Sequence, residues 1–305
     1  MRLVDPDRPG RLIDVEQRET ASFDGTRIAY QVAGSGRPVL LVGGLAGTFP
    51  VWRHLYRYLG DRYRFLAWDF RGLHRSGPAQ TQDAPGLQDL AKDGLAVLRA
   101  EGAPRAAVLS WSGGTQVALE ICRFNAEQVA ALVLVGGAAG RPWSAIPGPL
   151  PVRPILRSFV RVAARFPSLA SAAVGRLGRW PETLPWLKRA GILAPTLDEE
   201  VFSDLAEDFA NVDPRIYFAL LERFARHDAR DVLPTLRMPV LVLAGDRDPL
   251  VSKGTIEEIA RAIPGAELTV LPGGTHYTAV EFPELFNLRI EKFFLERGWE
   301  PQQAA

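Results

Sequence analysis

Ser112 has the sequence surroundings of a nucleophilic serine. The short run Ala106–Trp111 has the composition of a buried strand and leads directly into this serine, and helical spacing begins within two residues of it. A sharp turn from strand to helix exposes the hydroxyl but crowds the backbone, so small residues are required two positions before and two positions after. Ser110 and Gly114 meet that requirement, although glycine is more common at the first position. The pattern predicts a nucleophile at Ser112, with a structural turn serine as the simpler alternative.

A serine hydroxyl is a weak nucleophile without a general base, and histidine titrates in the range that this role requires. Of the four histidines in the chain, His276 ends the loop Pro272–His276, directly after the predicted strand Glu267–Leu271. Loops that follow the strands of a parallel sheet lie at its carboxyl edge, where Ser112 is also expected. We therefore predict that His276 is the general base.

The other three histidines have simpler interpretations. His54 falls on a helical pattern and is interpreted as a surface or packing residue. His227 ends a helical pattern and is interpreted as a solvated charge at the helix C-terminus. His74 is interpreted as a surface-loop residue, and a position at the rim of the substrate pocket is the alternative.

The histidine needs a carboxylate that fixes its tautomer and stabilises its charged form. Asp246 and Asp248 both follow the predicted strand Pro239–Ala244, whereas the segment 136–140 after the preceding core strand contains no acid. The chain order serine, aspartate, histidine is typical of one class of doubly wound sheet. Spacing alone does not distinguish Asp246 from Asp248.

The elements that must position these residues alternate between short apolar runs and helical patterns. Continuous Val, Leu and Ala runs are typical of parallel strands buried on both faces, and the alternation predicts an α/β fold with a mostly parallel, doubly wound sheet. An antiparallel hairpin is also predicted over Glu19–Ala33, turned at Asp24-Gly25. The predicted strands of the parallel part are Pro38–Val42, Arg64–Trp68, Ala106–Trp111, Ala130–Val135, Pro239–Ala244 and Glu267–Leu271, and the predicted helices are Val51–Leu59, Leu87–Ala100, Ser252–Ile263 and Pro283–Arg297.

A helical stretch interrupts this pattern. Residues of about 141–232 contain no convincing strand, and we expect them to form a helical cap, or lid, inserted into a core domain of residues 1–140 and 233–305. The capping-box sequence Thr196–Glu199 predicts the start of one cap helix. Asp213-Pro214 predicts the N-cap and first residue of the next.

Four arginines of the cap, Arg153, Arg157, Arg161 and Arg165, recur at four-residue spacing and would share one helix face. A solvated face is the simpler interpretation, and recognition of an anionic substrate or a lipid surface is the alternative.

Together these residues resemble the α/β-hydrolase superfamily, near its capped esterase, haloperoxidase-like and enol-lactonase members. Trp68–Ser76 resembles the D-x-R-G-x-G-x-S segment of that family, with His74 in place of a glycine. Pro239–Val251 is similar to the family's strand and acid loop, in which the second aspartate is catalytic. The resemblance therefore favours Asp248 as the catalytic acid and leaves Asp246 to brace the loop. The ending of the family, G-H-x-x-x-x-E-x-P, matches from His276 onward, with Thr275 in place of its glycine.

The oxyanion loop departs from the family pattern. Relatives usually carry His-Gly after the strand that matches Pro38–Val42, whereas this chain has Gly43-Gly44. An oxyanion hole requires backbone N–H groups and no particular side chain. Leu45 and Gly113 are therefore the predicted donors. The candidate substrate-pocket residues are Gly44, Trp111, Trp143 and Phe218, and for Trp111 a packing role is the alternative.

The resemblance implies hydrolysis of a small-molecule carboxylic ester or lactone with an apolar acyl or aryl group, through an acyl-enzyme on Ser112. No metal ligands or cofactor are expected. The same triad permits carbon–carbon bond hydrolysis, perhydrolysis or acyl transfer, and a receptor-like binding protein is a further alternative. Epoxide hydrolases and haloalkane dehalogenases of this fold need an aspartate nucleophile, so Ser112 argues against both.

The composition agrees with a globular protein that binds no nucleic acid. Of 305 residues, 36 are basic and 35 acidic, so the formal net charge is +1. No stretch approaches the roughly 18 apolar residues that a membrane span needs. The single cysteine, Cys122, excludes an intrachain disulfide, and the polar start lacks the apolar run of a signal peptide, so a cytoplasmic location is expected. The sequence does not indicate an oligomeric state.

Overall fold

A nine-stranded sheet forms the centre of the computed structural model, which describes residues 2–4, 12–45, 49–80, 85–140, 145–146, 158, 165–166 and 182–301. The sheet order is β1-β2-β3-β5-β4-β6-β7-β8-β9. Three neighbouring pairs are antiparallel, namely β1 with β2, β2 with β3 and β3 with β5. All remaining pairs are parallel. The strands are β1 (Arg2–Val4), β2 (Leu12–Ala21), β3 (Arg27–Ala33), β4 (Arg37–Val42), β5 (Tyr63–Trp68), β6 (Ala106–Trp111), β7 (Val129–Val135), β8 (Val240–Gly245) and β9 (Glu267–Leu271).

Helices cover both faces of the sheet, which confirms the predicted α/β fold. On β4, Val39 and Leu41 belong to one apolar core and Leu40 and Val42 belong to the other. Strands buried on both faces explain why the sequence shows continuous apolar runs instead of alternation. The described helices are α1 (Arg53–Leu59), α2 (Leu87–Ala100), α3 (Gly114–Asn125), α4 (Thr183–Arg189), α5 (Glu199–Ala210), α6 (Pro214–Arg226), α7 (Lys253–Ala262), α8 (Thr278–Glu281) and α9 (Pro283–Glu296), with short 3-10 turns at Pro50–Trp52, Ala126–Gln128 and Leu233–Thr235.

The helices α4, α5 and α6, called here the inserted helices, lie between β7 and β8 in chain order. At the two ends of the insertion, Gly140 forms an antiparallel bridge with Asp228. Beside it, the amide of Ala229 donates to the carbonyl of Ala139 at 2.8 Å. Residues 139–140 and 228–229 are therefore direct neighbours, although α4, α5 and α6 lie between them in the chain. No helix among the described residues is long and apolar enough to cross a membrane.

The inserted helices begin where carboxylates cap them. Asp213 accepts from the amide of Arg215 at 2.8 Å and Pro214 opens α6, so this predicted helix start is confirmed. The predicted capping box at Thr196 is wrong. Helix α5 begins at Glu199, and its N-cap is Asp198, whose carboxylate accepts from the amides of the second and third helical residues at 3.0 and 3.1 Å. A short carboxylate directly before the helix satisfies these free amides better than a hydroxyl two residues earlier.

Side chains of the core hold the inserted helices in place. Arg53 of α1 pairs with Asp204 and Glu200 of α5. The Nε2 atom of His54 lies 3.0 Å from the carboxylate of Asp198. Burial lowers the pKa of His54, against the attraction of Asp198. His54 is therefore a packing residue at this interface, one of the two interpretations that its helical position favoured.

His227 is not the solvated charge that its place at a helix end suggested. Its Nδ1 atom lies 2.8 Å from the side-chain oxygen of Gln116, and its Nε2 atom lies 3.0 Å from the carboxylate of Glu120. Both partners belong to α3, and Glu120 is also paired with Arg123. Burial alone would raise the pKa of Glu120, but the hydrogen bonds from His227 and Arg123 hold it below its ordinary value. The C-terminal end of α6 therefore meets α3 through His227, whose ring contacts two of its side chains.

Some predicted features fall outside the described residues. These are Trp143 and the arginines Arg153, Arg157 and Arg161, while the fourth arginine, Arg165, is described and exposed.

Candidate active site

Ser112 occupies a strained turn between β6 and α3. Its φ angle is +57°, a region that non-glycine residues rarely adopt and that often marks a functional position. The turn is tied to the end of β7, because the amide of Ser112 donates to the carbonyl of Val135 at 2.9 Å. Ser110 lies fully buried beneath it and donates its hydroxyl to the carbonyl of Val133 at 3.2 Å, so the serine at this position is accommodated by the neighbouring strand β7.

The structure brings Ser112, His276 and Asp248 into one hydrogen-bonded chain. The Nε2 atom of His276 lies 2.7 Å from the hydroxyl of Ser112, and its Nδ1 atom lies 2.8 Å from Oδ2 of Asp248. His276 is 4% exposed and Asp248 is 5% exposed, so water competes little for these contacts. The other oxygen of Asp248 accepts from the amides of Leu250 and Val251 at 2.7 and 2.9 Å. The arrangement can remove a proton from the serine and stabilise the resulting imidazolium.

The structure separates the two aspartates that spacing left open. Asp248 contacts His276, whereas the exposed carboxylate of Asp246 accepts from the amide of Gly273 at 2.7 Å. Asp246 therefore ties the loop after β8 to the loop after β9, which is the bracing position that the family resemblance implied.

The predicted oxyanion donors lie together beside the serine. A Cβ atom added to Gly113 would lie 3.8 Å from the amide nitrogen of Leu45, so the two backbone segments are close neighbours. Neither amide donates a backbone hydrogen bond to another residue within the described part of the chain. Two such amide N–H groups beside a serine hydroxyl can donate hydrogen bonds to an oxygen on which negative charge develops.

The loop that carries Leu45 passes tightly over Trp111. A Cβ atom on Gly44 would lie 3.1 Å from the Trp111 ring and 3.4 Å from Cβ of Ser112, so only glycine fits here without displacement. Trp111 itself is 6% exposed and its indole N–H donates to the carbonyl of His276 at 2.9 Å. Gly44 and Trp111 therefore pack against each other. These contacts favour the packing role predicted as the alternative for Trp111 over a role as a pocket wall open to substrate.

The inserted helix α6 reaches the serine turn through Phe224, a residue not included among the predicted pocket residues. A Cβ atom on Gly113 would lie 3.2 Å from the Phe224 ring, which stacks on Phe70 with a centroid distance of 6.3 Å. The predicted pocket residue Phe218 is half-buried and instead contacts Tyr217 edge to face at 5.3 Å. The buried stripe of α6, in which Phe224 follows Leu220 by four residues, is the sequence signal that could have identified it.

His74 lies under the inserted helices and not on a free surface. It is half-buried, and its φ angle of +48° explains why relatives place a glycine at this position. Burial raises the pKa of Asp69 to about 6, while the charge of His74 opposes that rise. Burial also raises the pKa of Asp208 on α5, again against His74. The surface-loop interpretation of His74 is therefore wrong, because its Nε2 atom is buried. The same loop packs against α6, since a Cβ atom on Gly72 would lie 3.2 Å from Ile216.

The serine turn follows a central parallel strand, and the aspartate and the histidine lie in the loops after two later strands. This arrangement defines a hydrolase of the doubly wound class. Residues 37–283 match the family described as alpha/beta hydrolase fold, and the chain belongs to that family.

Individual relatives cover most of the chain. It is 26% identical over 263 residues to a putative carbamate hydrolase of Azorhizobium caulinodans, covering 85% of this chain and 91% of the relative. It is 29% identical over 262 residues to a non-heme haloperoxidase of Rhodococcus erythropolis, covering 84% of this chain and 91% of the relative.

Solved structures show the same likeness. The esterase RhEst1 from Rhodococcus sp. ECU1013 superposes with a TM-score of 0.75 at 29% identity, covering 92% of this chain and 99% of the esterase. The enol-lactonase from Burkholderia xenovorans LB400 superposes with a TM-score of 0.74 at 22% identity, covering 91% of this chain and 100% of the enol-lactonase. At that identity the second likeness concerns the fold.

Proposed function

We propose that this protein is a serine hydrolase that cleaves a small-molecule carboxylic ester or lactone through an acyl-enzyme on Ser112. The observation that carries the proposal is the continuous chain of contacts from the Ser112 hydroxyl through His276 to Asp248, at 2.7 and 2.8 Å. A solved esterase and a relative named as a putative carbamate hydrolase support a reaction at a carbonyl carbon.

The reaction begins when His276 takes the hydroxyl proton of Ser112 and the serine oxygen attacks the carbonyl carbon. The carbonyl oxygen becomes an oxyanion, which the amides of Leu45 and Gly113 stabilise. When the tetrahedral intermediate collapses, the bond to the leaving alcohol breaks and His276 donates the proton to that oxygen. Water then attacks the acyl-enzyme with His276 again as the base, which releases the acid and restores Ser112.

Asp248 acts by holding His276 in one tautomer. Its carboxylate accepts the Nδ1–H of His276, so Nε2 is left free to take the serine proton. The amides of Leu250 and Val251 hold the other carboxylate oxygen and keep the group oriented.

We further propose that residues 141–232 form a cap that covers the site and selects the substrate. Phe224 of α6 lies against Gly113, next to the proposed oxyanion hole, so the cap contributes an aromatic wall at the reacting carbonyl. An apolar acyl or aryl group is the substrate part that such a wall favours.

Turnover of p-nitrophenyl acyl esters of graded chain length tests the proposal. The wild-type protein is expected to release many equivalents of p-nitrophenol, and Ser112→Ala is expected to abolish release while the fold is retained. Ser203→Ala, at an exposed position of α5, is the matched control and should keep full activity. A single burst from the wild-type protein would indicate a receptor-like acceptor, and equal turnover by Ser112→Ala would contradict the proposal.

A further inference from the structure

We propose that Trp111 is a positioning residue that sets the place of His276 relative to Ser112. The indole N–H holds the backbone carbonyl of His276, so one side chain of the nucleophile's own strand fixes the loop that carries the base. This inference rests on the proposed function, in which His276 is the base.

The contact geometry around Trp111 is specific. The distance from Nε1 to the carbonyl oxygen of His276 is 2.9 Å. The indole ring also lies beside the imidazole, with centroids 5.5 Å apart, and beside the ring of Tyr277, with centroids 5.6 Å apart. Backbone and ring of the base are therefore both in contact with the same side chain.

The base needs such support because of where its strand lies. Ser112 follows β6, whose residues are all buried, whereas His276 follows β9, the last strand of the sheet, whose residues are mostly half-buried. The strands β7 and β8 separate the two, which corresponds to about 14 Å at a spacing of about 4.8 Å per strand. Backbone hydrogen bonds therefore connect the serine turn to the histidine loop only by way of the ends of β7 and β8. The indole of Trp111 adds a direct contact between the two.

Trp111 is well placed to do this because it immediately precedes Ser112. It also contacts the proposed oxyanion loop, since its ring leaves no room for a side chain at Gly44. A single rigid indole thus adjoins the nucleophile, the base and the loop that carries Leu45. We infer that Gly44 is needed at this position because the indole occupies the space of its Cβ atom.

The hydrogen bond is not a general property of tryptophans in this core. Trp52, Trp68 and Trp299 are also buried, yet among the described residues their indole N–H groups have no hydrogen-bond partner. Trp111 therefore differs from them in its contact and not in its burial. Trp68, which packs on Gly94 of α2, provides a matched control for the loss of an indole N–H.

The test replaces the indole N–H without changing the shape of the ring. Benzothienylalanine, in which sulfur takes the place of the N–H, is introduced at position 111 and, in a separate protein, at position 68. At position 111 we expect kcat for a p-nitrophenyl ester to fall about 10-fold, since small displacements of a catalytic group cost that much or more, while KM stays within about twofold. At position 68 we expect neither to change. Trp111→Phe and Trp68→Phe provide the same comparison with natural residues.

A spectroscopic measurement separates positioning from general stability. The proton shared by His276 and Asp248 is expected to give a strongly downfield ¹H NMR signal, which His276→Ala removes. The isostere at position 111 should shift or broaden this signal, and the isostere at position 68 should leave it unchanged. An unchanged signal and kcat at position 111 would overturn the proposal, and a change confined to KM would assign Trp111 to the substrate wall.

This readout also distinguishes the inference from the proposed function. If the wild-type protein turns over no ester, the ester hydrolase proposal fails, but the response of the downfield signal still decides whether Trp111 positions His276. If the wild-type protein is active and the variants at position 111 match those at position 68, only the positioning proposal fails.

Discussion

Glu281 accepts hydrogen bonds from both the backbone amide and the hydroxyl of Thr275, the residue that precedes His276. The same carboxylate accepts from the amide of Ala194, which lies in the segment between α4 and α5, at 3.0 Å. Glu281 is 2% exposed, so one buried side chain joins the inserted helices to the histidine loop. The hydroxyl of Thr275, where relatives have glycine, thus gains a specific partner in this chain.

We expect Glu281→Gln to destabilise the fold and to lower kcat. Either placement of the glutamine NH₂ group would set it against a backbone N–H, that of Thr275 or that of Ala194, and an unsatisfied buried group costs about 1–3 kcal/mol. Chemical denaturation measures the loss of stability, and steady-state kinetics measures the loss of activity. Thr275→Val should have a smaller effect, since the backbone contacts of Glu281 remain. Glu284→Gln, at an exposed position, is the control, and an effect of equal size there would contradict this account.

The two aspartates after β8 should differ sharply in their effect on catalysis. Asp248→Asn is expected to lower kcat by about 10⁴-fold, because an amide at this place favours the wrong tautomer of His276. Asp246→Asn should have little effect, since an asparagine oxygen can still accept from the amide of Gly273. Kinetics with a p-nitrophenyl ester and thermal unfolding of both variants provide the test. Comparable losses of kcat would show that the geometric assignment of the acid is incorrect.

The sequence predicted the secondary-structure elements from local patterns, but it did not predict contacts between residues that are distant in the chain. The bounds of α2 and β9 agree with prediction because apolar periodicity and turn residues are local features. The partners of His227 lie more than 100 residues away in sequence, and Trp111 and His276 are separated by 165 positions. Nothing near either residue in the sequence records that proximity. Spacing likewise did not choose between Asp246 and Asp248, because the choice depends on how two loops meet.

His227→Ala should destabilise the protein by about 2 kcal/mol, since it removes a hydrogen bond to the buried carboxylate of Glu120 and leaves that charge less well satisfied. Because the pKa of Glu120 is held below its ordinary value, its contribution to stability is present above the unfolded pKa of about 4.5 and is lost as the pH falls further. The difference between wild type and His227→Ala should therefore shrink in acid. Arg226→Ala, one residue earlier in an exposed ion pair, serves as the control. A difference that stays constant with pH would argue against the Glu120 contact.

Asp69 should give the opposite pH dependence. Its pKa rises from an ordinary value of 3.8 to about 6 on folding, chiefly through burial. The folded protein therefore holds this proton more tightly than the unfolded chain, so the group favours folding in acid and loses that contribution as the pH rises through about 6. We expect Asp69→Asn to become more stable relative to wild type between pH 4 and pH 7, as measured by urea denaturation at each pH. The surface variant Asp61→Asn should show no such trend, and a flat difference for Asp69→Asn would refute the prediction.

Phe224 should control the length of the acyl group that the site accepts. Its ring is 3% exposed and lies against Gly113, so shortening it opens space beside the reacting carbonyl. Phe224→Leu is the suitable change, because complete truncation to alanine at a buried phenylalanine costs about 3–5 kcal/mol of stability. We expect the ratio of kcat/KM for octanoyl to that for acetyl p-nitrophenyl ester to increase. Phe218→Leu removes a similar ring from the same helix without contact to Gly113, so its ratio should stay at the wild-type value. An equal increase of this ratio in both variants would indicate that a less tightly packed α6 causes it. Phe224 would then not be the residue that limits the length of the acyl group.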